Sequence, residues 1–316
     1  MNTTRFEGKT LTYPLDDYFW KLPQEIRVCN IDSYLVELWE KCKQKQHMNI
    51  GQAKIEIGKG LYSNRRVFDQ YISGTRTPPL EFIRLFRDFC HSIHVHVDDK
   101  KLNTGVFKFG HGGNAASAHL PFFITPKLAY LVGAMRDGTL ARHGKYEVTY
   151  SQSNIEWLEL VKDLVIDVFS PSNRLRIAYG NRVTLSNRPI FEFFHRIFEM
   201  PIGEKVHWGT PSIIQKVPFS IQKYYIRGFY DADGLSELGF CQANDKPLYD
   251  IKMMLEKHNI KCNPVHKRSL RPGKKYPMYD FLVSRKESNH LRFIKTIGCS
   301  NRSKSKYFPS VLNTTS

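Results

Sequence analysis

Two stretches of this chain decide how it folds: Leu131–Leu140, which reads LVGAMRDGTL, and Ile226–Ser236, which reads IRGFYDADGLS. Each stretch begins with an aliphatic residue, passes through small residues and reaches Asp-Gly before a segment with the pattern of strands. Gly228 and Ala232 lie four positions apart, which places them on one face of a helix. We therefore expect two helices that approach each other closely through their small residues.

The two aspartates of these stretches occupy an electrostatically unfavourable position. Asp137 and Asp233 fall at the C-terminal ends of their helices, where the helix dipole is negative. Two such carboxylates that met at one point would repel each other unless a cation lay between them. The pattern predicts a metal site, with Gly138 and Gly234 as the left-handed residues that end the helices. Two ordinary amphipathic helices with capping glycines are the alternative.

The second stretch resembles the signature of the LAGLIDADG homing endonucleases, and the first resembles a shorter variant of it. In that family two such helices pack at a pseudo-two-fold axis, and the last acid of each motif holds a divalent cation over a DNA phosphate. The resemblance implies that Asp137 and Asp233 are catalytic metal ligands, with Gly138 and Gly234 beside them in the metal site. The expected cation is Mg²⁺, with Mn²⁺ as a substitute, because Mg²⁺ prefers oxygen ligands and keeps several waters.

The composition indicates a large polyanionic partner. The chain of 316 residues has a formal net charge of +17, and the excess is spread along it. Double-stranded DNA with a long specific site is the expected partner. A membrane is the alternative, but no segment has the roughly 18 consecutive apolar residues of a membrane helix, and no signal peptide is recognisable. The six cysteines form no CxxC pair, so we expect reduced thiols in an intracellular protein of the cytoplasm or nucleoid.

The chain repeats one order of elements from residue 126 to its end. The first unit, 126–205, and the second unit, 206–316, each read as helix, two strands, helix, two strands and helix. This order is the α-β-β-α-β-β-α order of the resembled family. We therefore expect an α+β fold of two pseudo-symmetric units that pack through their motif helices in a monomer.

The first 125 residues divide into an extension (1–30), a helical segment (31–93) and a linker (94–125). The linker is rich in Gly, Ala, Asn and Ser, a composition typical of flexible chain. The helical segment resembles Cro and phage-repressor helix-turn-helix domains through QYISGTRTPPLEFIRLF at residues 70–86. A small helical bundle with a basic surface is the alternative. By that resemblance the residues that face the major groove are Asn64, Arg65 and Arg66.

The same family resemblance implies two further types of catalytic residue. Gln152 and Gln242 follow the strand after each motif, where the family has a polar residue that orients solvent near the metal. A surface glutamine is the alternative for both. The family also places a lysine near the cleavage centre late in each repeat. Here the candidates are Lys205 in the first unit and Lys304 or Lys306 in the second.

Basic residues on the solvent side of the strands and loops are the expected DNA contacts. In the family these strands form a curved saddle in the major groove. Ordinary solubilising charge is the alternative for each residue singly, although the set is strongly biased in sign. The candidates are Arg142, Lys145, Arg174, Arg176, Arg182, Lys267, Arg268, Arg271 and Arg285.

Two departures from the signature leave a second function open. Motif 1 has one residue fewer between its two glycines than motif 2, so Gly133 is expected to be out of step with the helix contact. Arg136 precedes Asp137 and could pair with it, which would weaken cation binding. The first prediction is a site-specific double-strand DNA endonuclease that hydrolyses phosphodiester bonds with a divalent metal. The alternative is a cleavage-deficient transcription regulator or RNA maturase on the same scaffold.

Overall fold

The computed structural model describes residues 11–15, 18–45, 49–58, 65–99, 101, 105–109, 115–142, 146–173, 175–178, 180–270, 273 and 275–306. The predicted DNA-binding residues outside these ranges are Asn64, Lys145, Arg174 and Arg271, and the side chain of Arg65 is also outside the description.

The described elements include both helices and strands, as expected for an α+β protein. The helices are α1 (Asp32–Lys45), α2 (Ile50–Gly58), α3 (Arg65–Ile72), α4 (Leu80–Ser92), α5 (Pro126–Ala134), α6 (Ile155–Phe169), α7 (Arg188–Ile197), α8 (Ser212–Lys216), α9 (Phe219–Asp233), α10 (Lys246–Lys257), α11 (Glu287–Thr296) and α12 (Arg302–Ser305). The strands are β1 (Tyr13–Pro14), β2 (Arg27–Cys29), β3 (Val106–Lys108), β4 (Ser117–Ala118), β5 (Phe123–Ile124), β6 (Gly138–Ala141), β7 (Glu147–Ser151), β8 (Arg176–Ala178), β9 (Arg182–Ser186), β10 (Gly234–Leu235), β11 (Gly239–Gln242), β12 (His266–Lys267) and β13 (Tyr279–Leu282). No helix among these is long and apolar enough to cross a bilayer.

The motif helices α5 and α9 pack against each other at their glycines. A Cβ atom on Gly133 would lie 2.1 Å from the carbonyl oxygen of Tyr225, and one on Gly228 would lie 2.1 Å from the carbonyl oxygen of Tyr130. Each glycine therefore meets the residue three positions before the other glycine. Only glycine allows backbones to approach this closely.

The prediction that Gly133 would be out of step is therefore wrong. Motif 1 ends in a 3₁₀ turn, Met135–Asp137, whereas α9 continues as an α-helix to Asp233. A 3₁₀ turn uses fewer residues per turn than an α-helix. The 3₁₀ turn therefore reaches Asp137 with one residue fewer than the α-helix needs to reach Asp233. Gly133 thus keeps its contact with α9.

An antiparallel four-stranded sheet follows each motif helix. The strand orders are β6-β7-β9-β8 and β10-β11-β13-β12, so both sheets place their first, second, fourth and third strands side by side. In the first sheet, buried and partly exposed residues alternate along β7 and β9. One face of the first sheet is thus buried and the opposite face is left for solvent or a partner, whereas neighbouring residues of β11 and β13 in the second sheet are buried together. The buried residues of these strands are Leu140, Val148, Tyr150, Val183 and Leu185 in the first sheet, and Phe240 and Phe281 in the second.

The predicted linker contains strands. β3 and β4 form a three-stranded sheet with β2, and β5 pairs with β1 through Tyr13 and Ile124. The flexible linker expected for residues 94–125 is therefore a wrong prediction for 106–108, 117–118 and 123–124. Strands of two or three residues leave too short an alternation to be recognised in a sequence.

The segment predicted to be a linker contacts the first unit directly. The backbone N–H of His119 donates to the carbonyl of Phe169 at 2.8 Å, and buried Asn187 donates through Nδ2 to the carbonyl of Ser117 at 3.1 Å. The guanidinium of Arg188 lies 3.7 Å from the ring centre of Phe109. These contacts fix the segment 115–119 to helices α6 and α7.

Candidate active site

The two motif aspartates lie at the ends of their helices. Asp137 is the last residue of the 3₁₀ turn and Asp233 is the last residue of α9. Both side chains are half-buried. Burial raises the pKa of Asp137 to about 6 and that of Asp233 to about 7, and the charge of Asp137 raises the second value further. The two carboxylates are therefore close enough to repel each other.

The glycines after these aspartates do not have left-handed backbones, so that prediction is wrong. Gly138 has φ −98° and ψ 172°, and Gly234 has φ −72° and ψ 153°, because each residue begins a strand directly. Crowding accounts for the glycines instead. A Cβ on Gly234 would lie 2.4 Å from the carbonyl oxygen of Tyr230, and one on Gly138 would lie 2.8 Å from that of Thr149.

A glutamine binds each aspartate. Gln152 Nε2 donates to Asp137 Oδ2 at 2.9 Å and to the carbonyl of Ala232 at 3.0 Å. One amide group therefore joins the end of motif 1 to the end of motif 2. Gln242 Nε2 donates to Asp233 Oδ2. Both glutamines that the sequence singled out thus contact the carboxylate of their own unit.

Lys304 lies at the C-terminal end of α9. Its Nζ donates to the carbonyls of Tyr230 at 2.9 Å, Ala232 at 3.0 Å and Gly234 at 2.9 Å. An ammonium group is stabilised there by the negative end of the helix dipole. Burial lowers the pKa of Lys304, while the two aspartates oppose this shift. Lys304, one of the two candidates in the second unit, therefore lies beside the two aspartates.

Lys205 has the corresponding place at the end of motif 1. Its Nζ donates to the carbonyl of Met135 at 3.3 Å and to that of Arg136. Burial lowers its pKa to about 8, and the charges of Asp137 and Asp233 act in the opposite direction. Both lysines thus contribute positive charge to the place where the two carboxylates meet.

Arg136 turns away from Asp137, contrary to the ion pair expected from the sequence. Its Nη1 donates to the carbonyl of Trp208 at 2.9 Å, and its Nη2 donates to the carbonyl of Gly209 at 2.9 Å and the hydroxyl of Tyr225 at 2.7 Å. Successive residues of a 3₁₀ turn point to different sides of the helix axis. The arginine is therefore a buried link between chain segments.

The second acid of motif 2, Asp231, is fully buried inside the protein. Its Oδ2 accepts from the hydroxyl of Tyr130 at 2.7 Å and from the backbone N–H of Ser300 at 2.9 Å, and its Oδ1 accepts from Cys299 Sγ at 2.8 Å. Trp157 Nε1 donates in turn to the Tyr130 hydroxyl at 2.8 Å. No local sequence pattern indicates this role of Asp231, because its partners lie up to 101 positions away.

The donor set at the two aspartates fits a hard divalent cation. Two half-buried carboxylates repel each other and bear raised pKa values, so a cation between them would relieve both effects. Within the described ranges, no group of three or more His, Cys, Asp and Glu side chains could hold a metal. A cation at Asp137 and Asp233 would therefore need further ligands from solvent or substrate. Gly138 and Gly234 were both predicted to lie beside the metal. The carbonyl oxygen of Gly234 already accepts a hydrogen bond from Lys304.

The solvent face of the first sheet is polar and basic. Thr149 lies between Thr139 and Thr184 across the strands, and Arg176 lies opposite Thr184. Arg176 and Arg182 are exposed. Arg142, which follows β6, is exposed and lies 3.9 Å from the carboxylate of buried Glu192.

The second sheet carries its basic groups at an edge and in the following loops. Lys267 is exposed on β12. Arg268 Nε donates to Asp280 Oδ2 at 2.6 Å, and its Nη2 contacts the same oxygen. Arg285 is exposed and pairs with Glu237 at 2.7 Å. Two of these arginines are thus held by carboxylates before any partner binds.

Helix α3 carries the described part of the predicted recognition residues. Arg66 is exposed, whereas Phe68 and Tyr71 on the same helix are buried. Lys54 of α2 pairs with Asp69 of α3 at 2.5 Å, which ties the two helices together. Arg66 therefore lies on the solvent side of α3.

One curated protein is similar in sequence to this chain. It is the homing endonuclease I-ApeI of Aeropyrum pernix, with 29% identity over 153 residues, which cover 44% of this chain and 69% of that protein. No protein-family model matches the chain.

Solved structures of I-DmoI align with part of the chain. The complex with DNA and Mn has a TM-score of 0.43 at 18% identity and covers 55% of this chain and 96% of I-DmoI. The complex with DNA and Ca has a TM-score of 0.40 at 16% identity and covers 54% and 86%. TM-scores below 0.5 do not establish a shared fold, so the relationship rests on the sequence match. The chain is a homologue of a homing endonuclease, and this homology supports the LAGLIDADG family that its two motifs predict.

Proposed function

We propose that this protein is a site-specific homing endonuclease that hydrolyses both strands of double-stranded DNA with a divalent cation. The homology to a homing endonuclease supports a site-specific DNA endonuclease, a hydrolase that acts on DNA. The single observation that carries the mechanism is that the Gln152 amide joins Asp137 to the carbonyl of Ala232, directly before Asp233, where two helices in glycine contact end. The proposal includes two pseudo-symmetric units in one monomer.

In this proposal Asp137 and Asp233 are the protein ligands of Mg²⁺ or Mn²⁺, with Gly138 and Gly234 at their side. When bound, the cation would cancel phosphate charge, lower the pKa of a bound water and stabilise the leaving 3′ oxygen. Phosphodiester hydrolysis forms one bond from a water oxygen to phosphorus and breaks the bond from phosphorus to the 3′ oxygen, which takes up a proton. Each strand needs one such reaction.

The neighbouring side chains prepare this reaction. Gln152 and Gln242 each donate to one oxygen of an aspartate, which fixes the orientation of the carboxylates. The amide of Gln152 is itself oriented by the backbone N–H of Ser153, which donates to Gln152 Oε1 at 3.0 Å. Lys205 and Lys304 add two positive charges that favour an anionic phosphate and its transition state. Groups held in place before the substrate arrives need little reorganisation during the reaction.

The proposed DNA interface consists of the open faces of the two sheets and helix α3. On the first unit, Arg142, Arg176 and Arg182 would contact phosphates or bases, together with Lys145 and Arg174. On the second unit, Lys267, Arg268 and Arg285 would do so, together with Arg271. The N-terminal domain would add contacts from Asn64, Arg65 and Arg66 if it binds DNA as a helix-turn-helix. The net charge of +17 suits this extended polyanionic partner.

The alternative, a cleavage-deficient regulator or RNA maturase, loses two of the three observations that favoured it, and the third is the repressor-like pattern of the N-terminal helices. The short motif 1 keeps its glycine contact, and Arg136 binds carbonyl groups rather than Asp137. A regulator would bind a DNA site and leave it intact in Mg²⁺, and a maturase would prefer structured RNA.

The test uses purified full-length protein and a library of DNA sequences with Mg²⁺. We expect double-strand breaks at one long sequence. Asp137→Asn and Asp233→Asn should each keep DNA binding and lose cleavage, because the amide has no charge to hold a cation. Asp163→Asn on α6 is the control, since it removes an exposed carboxylate that lies outside the site by the same change of side chain. Cleavage at wild-type rate by both aspartate variants would refute the mechanism.

A further inference from the structure

We propose that Arg136 and Asp231 are positioning residues, each of which anchors the chain segment that brings one lysine to the cleavage centre. Arg136 would hold the segment of Lys205, and Asp231 would hold the segment of Lys304. This inference rests on the proposed function, because it assigns these residues a part in cutting each DNA strand.

In the first unit, residue 136 binds both ends of a short loop. The Arg136 side chain donates to the carbonyls of Trp208 and Gly209, each at 2.9 Å, and its own carbonyl accepts from Lys205 Nζ. The loop between them is closed by a backbone hydrogen bond of 2.9 Å from the N–H of Trp208 to the carbonyl of Lys205. The arginine therefore fixes where the loop lies relative to the end of motif 1.

The surroundings of Arg136 leave it one orientation. Its side chain is buried, with its guanidinium carbon 4.1 Å from the ring centre of Trp208 and 4.9 Å from that of Phe229. The Tyr225 hydroxyl accepts a third hydrogen bond at 2.7 Å. Aromatic faces and carbonyl oxygens can hold a buried guanidinium with directional contacts. Because Tyr225 and Phe229 lie on α9, the anchor also ties the loop to the other motif helix.

In the second unit, Asp231 binds the segment that precedes α12. Its carboxylate accepts from the backbone N–H of Ser300 at 2.9 Å and from Cys299 Sγ at 2.8 Å, and its carbonyl accepts from Asn301 Nδ2 at 3.0 Å. Three consecutive residues are thus bound to one residue of the motif helix. They enter α12, the short helix that carries Lys304.

Asn301 passes this constraint on to the lysine. Its Oδ1 accepts from the backbone N–H of Ser303 at 3.1 Å and from Asn154 Nδ2 at 2.7 Å, so it caps α12 and contacts the start of α6. The backbone N–H of Lys304 donates to the Asn301 carbonyl at 2.9 Å. A helix start fixed in this way sets the direction in which the lysine side chain leaves the backbone.

The two units reach the same arrangement with opposite chemistry. Arg136 donates to carbonyl oxygens, whereas the Asp231 carboxylate accepts from N–H and S–H groups. Each anchor lies one or two positions before the aspartate of its motif. The arginine that interrupts the acidic pattern of motif 1 is thus the functional counterpart of the second acid of motif 2.

Strand-resolved cleavage of a labelled duplex tests the inference in the full-length protein. Arg136→Met should slow the cutting of one strand about 10²-fold, the loss expected from misplacing a group by about 1 Å. The affected strand should be the one affected by Lys205→Met. Asp231→Asn should slow the opposite strand, as Lys304→Met does, and both variants should accumulate nicked DNA. Arg188→Met removes a half-buried arginine with aromatic contacts, so it controls for a general loss of stability and should affect both strands alike.

Equal losses on the two strands for Arg136→Met and Asp231→Asn would overturn the positioning role. If either variant fails to fold, Arg136→Lys and Asp231→Glu keep the charge but change the geometry, and they should show the same strand preference in weaker form. Acylation of lysines, read by mass spectrometry, gives a result that needs no cleavage. Arg136→Met should increase labelling of Lys205 and not of Lys304, and the reverse should hold for Asp231→Asn. Unaltered labelling together with absent cleavage by the wild type would refute both proposals, whereas altered labelling with absent cleavage would refute only the proposed function.

Discussion

The two motif helices reach the same meeting point by different routes. The first ends in a 3₁₀ turn with Arg136 before its aspartate, and the second continues as an α-helix with Asp231 before its aspartate. Each nevertheless brings an aspartate, a glutamine and a lysine together. The comparison shows that the geometry of the centre is kept while the residues that support it differ.

The two sheets differ in where their basic groups lie and in what holds them. The first sheet presents threonines with exposed Arg176 and Arg182, whereas the second presents Arg268 already bound to Asp280. An exposed arginine side chain can adapt to a phosphate, whereas one oriented by a carboxylate can present its remaining N–H groups to a base edge. We therefore expect the two halves of a DNA site to be read differently.

The largest effect is expected from substitutions at the contact between the motif helices α5 and α9. Gly133→Ala and Gly228→Ala each place a methyl group 2.1 Å from a carbonyl oxygen, so the helices must separate. Both should lower the free energy of unfolding by about 3 kcal/mol or more, the range of severe overpacking. Chemical denaturation measures this loss. Gly180→Ala is the control, because its site has open space and only a φ of +65° to strain the new residue. Clearly unequal losses for the two motif variants would contradict a reciprocal contact.

The second prediction compares the two aspartates without metal. Their folded pKa values of about 6 and about 7 exceed the ordinary value of 3.8, so the folded protein keeps these protons to higher pH than the unfolded chain. The free energy of unfolding should therefore fall as pH rises from about 4 to about 7. Asp233→Asn should stabilise the metal-free protein at pH 7 by roughly 1–3 kcal/mol, and Asp137→Asn by less.

Thermal melting between pH 4 and pH 8 with a chelator measures this effect. Added Mg²⁺ should raise the melting temperature of the wild type and have little effect on the two asparagine variants. A wild type whose stability rises over this pH range would contradict the burial of the two carboxylates.

The third prediction sharpens the contrast between the sheets. Arg268→Ala should reduce discrimination at one base position by about 1–3 kcal/mol, whereas Arg182→Ala should weaken binding to all sequences alike. Asp280→Asn should resemble Arg268→Ala in part, because it releases the arginine. Binding selections with randomised DNA sites give the base preference of each variant. Identical profiles for the Arg268 and Arg182 variants would remove the proposed difference between the halves.

The smallest effect is expected from the N-terminal helices. Arg66→Ala should weaken binding without changing metal-dependent cleavage, and it should reduce the slope of log affinity against log salt by about 1. Binding titrations at several salt concentrations measure this slope. Glu56→Gln on neighbouring α2 is the control, since it removes a charge of the opposite sign. An unchanged slope would contradict a contact between Arg66 and DNA.

Local patterns predicted most of the second half of the fold. Helix α6 follows from Asn154, which caps it by accepting from the N–H of Trp157 at 3.1 Å, and from the apolar spacing behind it. The strands β7 and β9 and the places of the two aspartates also followed from spacing along the chain. The two-residue strand β10 was not predicted, and the roles of the two glutamines came from the family resemblance. These signals involve residues within a few positions of each other, so they can be read without knowing the rest of the structure.

The tertiary structure alone decided how the buried charges are used. Arg136 is adjacent to Asp137 in sequence, but its hydrogen-bond partners lie 72, 73 and 89 positions away. The hydrogen-bond partners of Asp231 are also distant in sequence. The extended backbones of Gly138 and Gly234 depend on strands that begin directly after each helix. A buried polar group must find its partners wherever the fold places them, because an unmet hydrogen bond in the interior is costly. Spacing along the sequence therefore predicted that Asp137 and Asp233 lie at the helix ends. Tertiary packing decided which distant residues hold these helix ends in place.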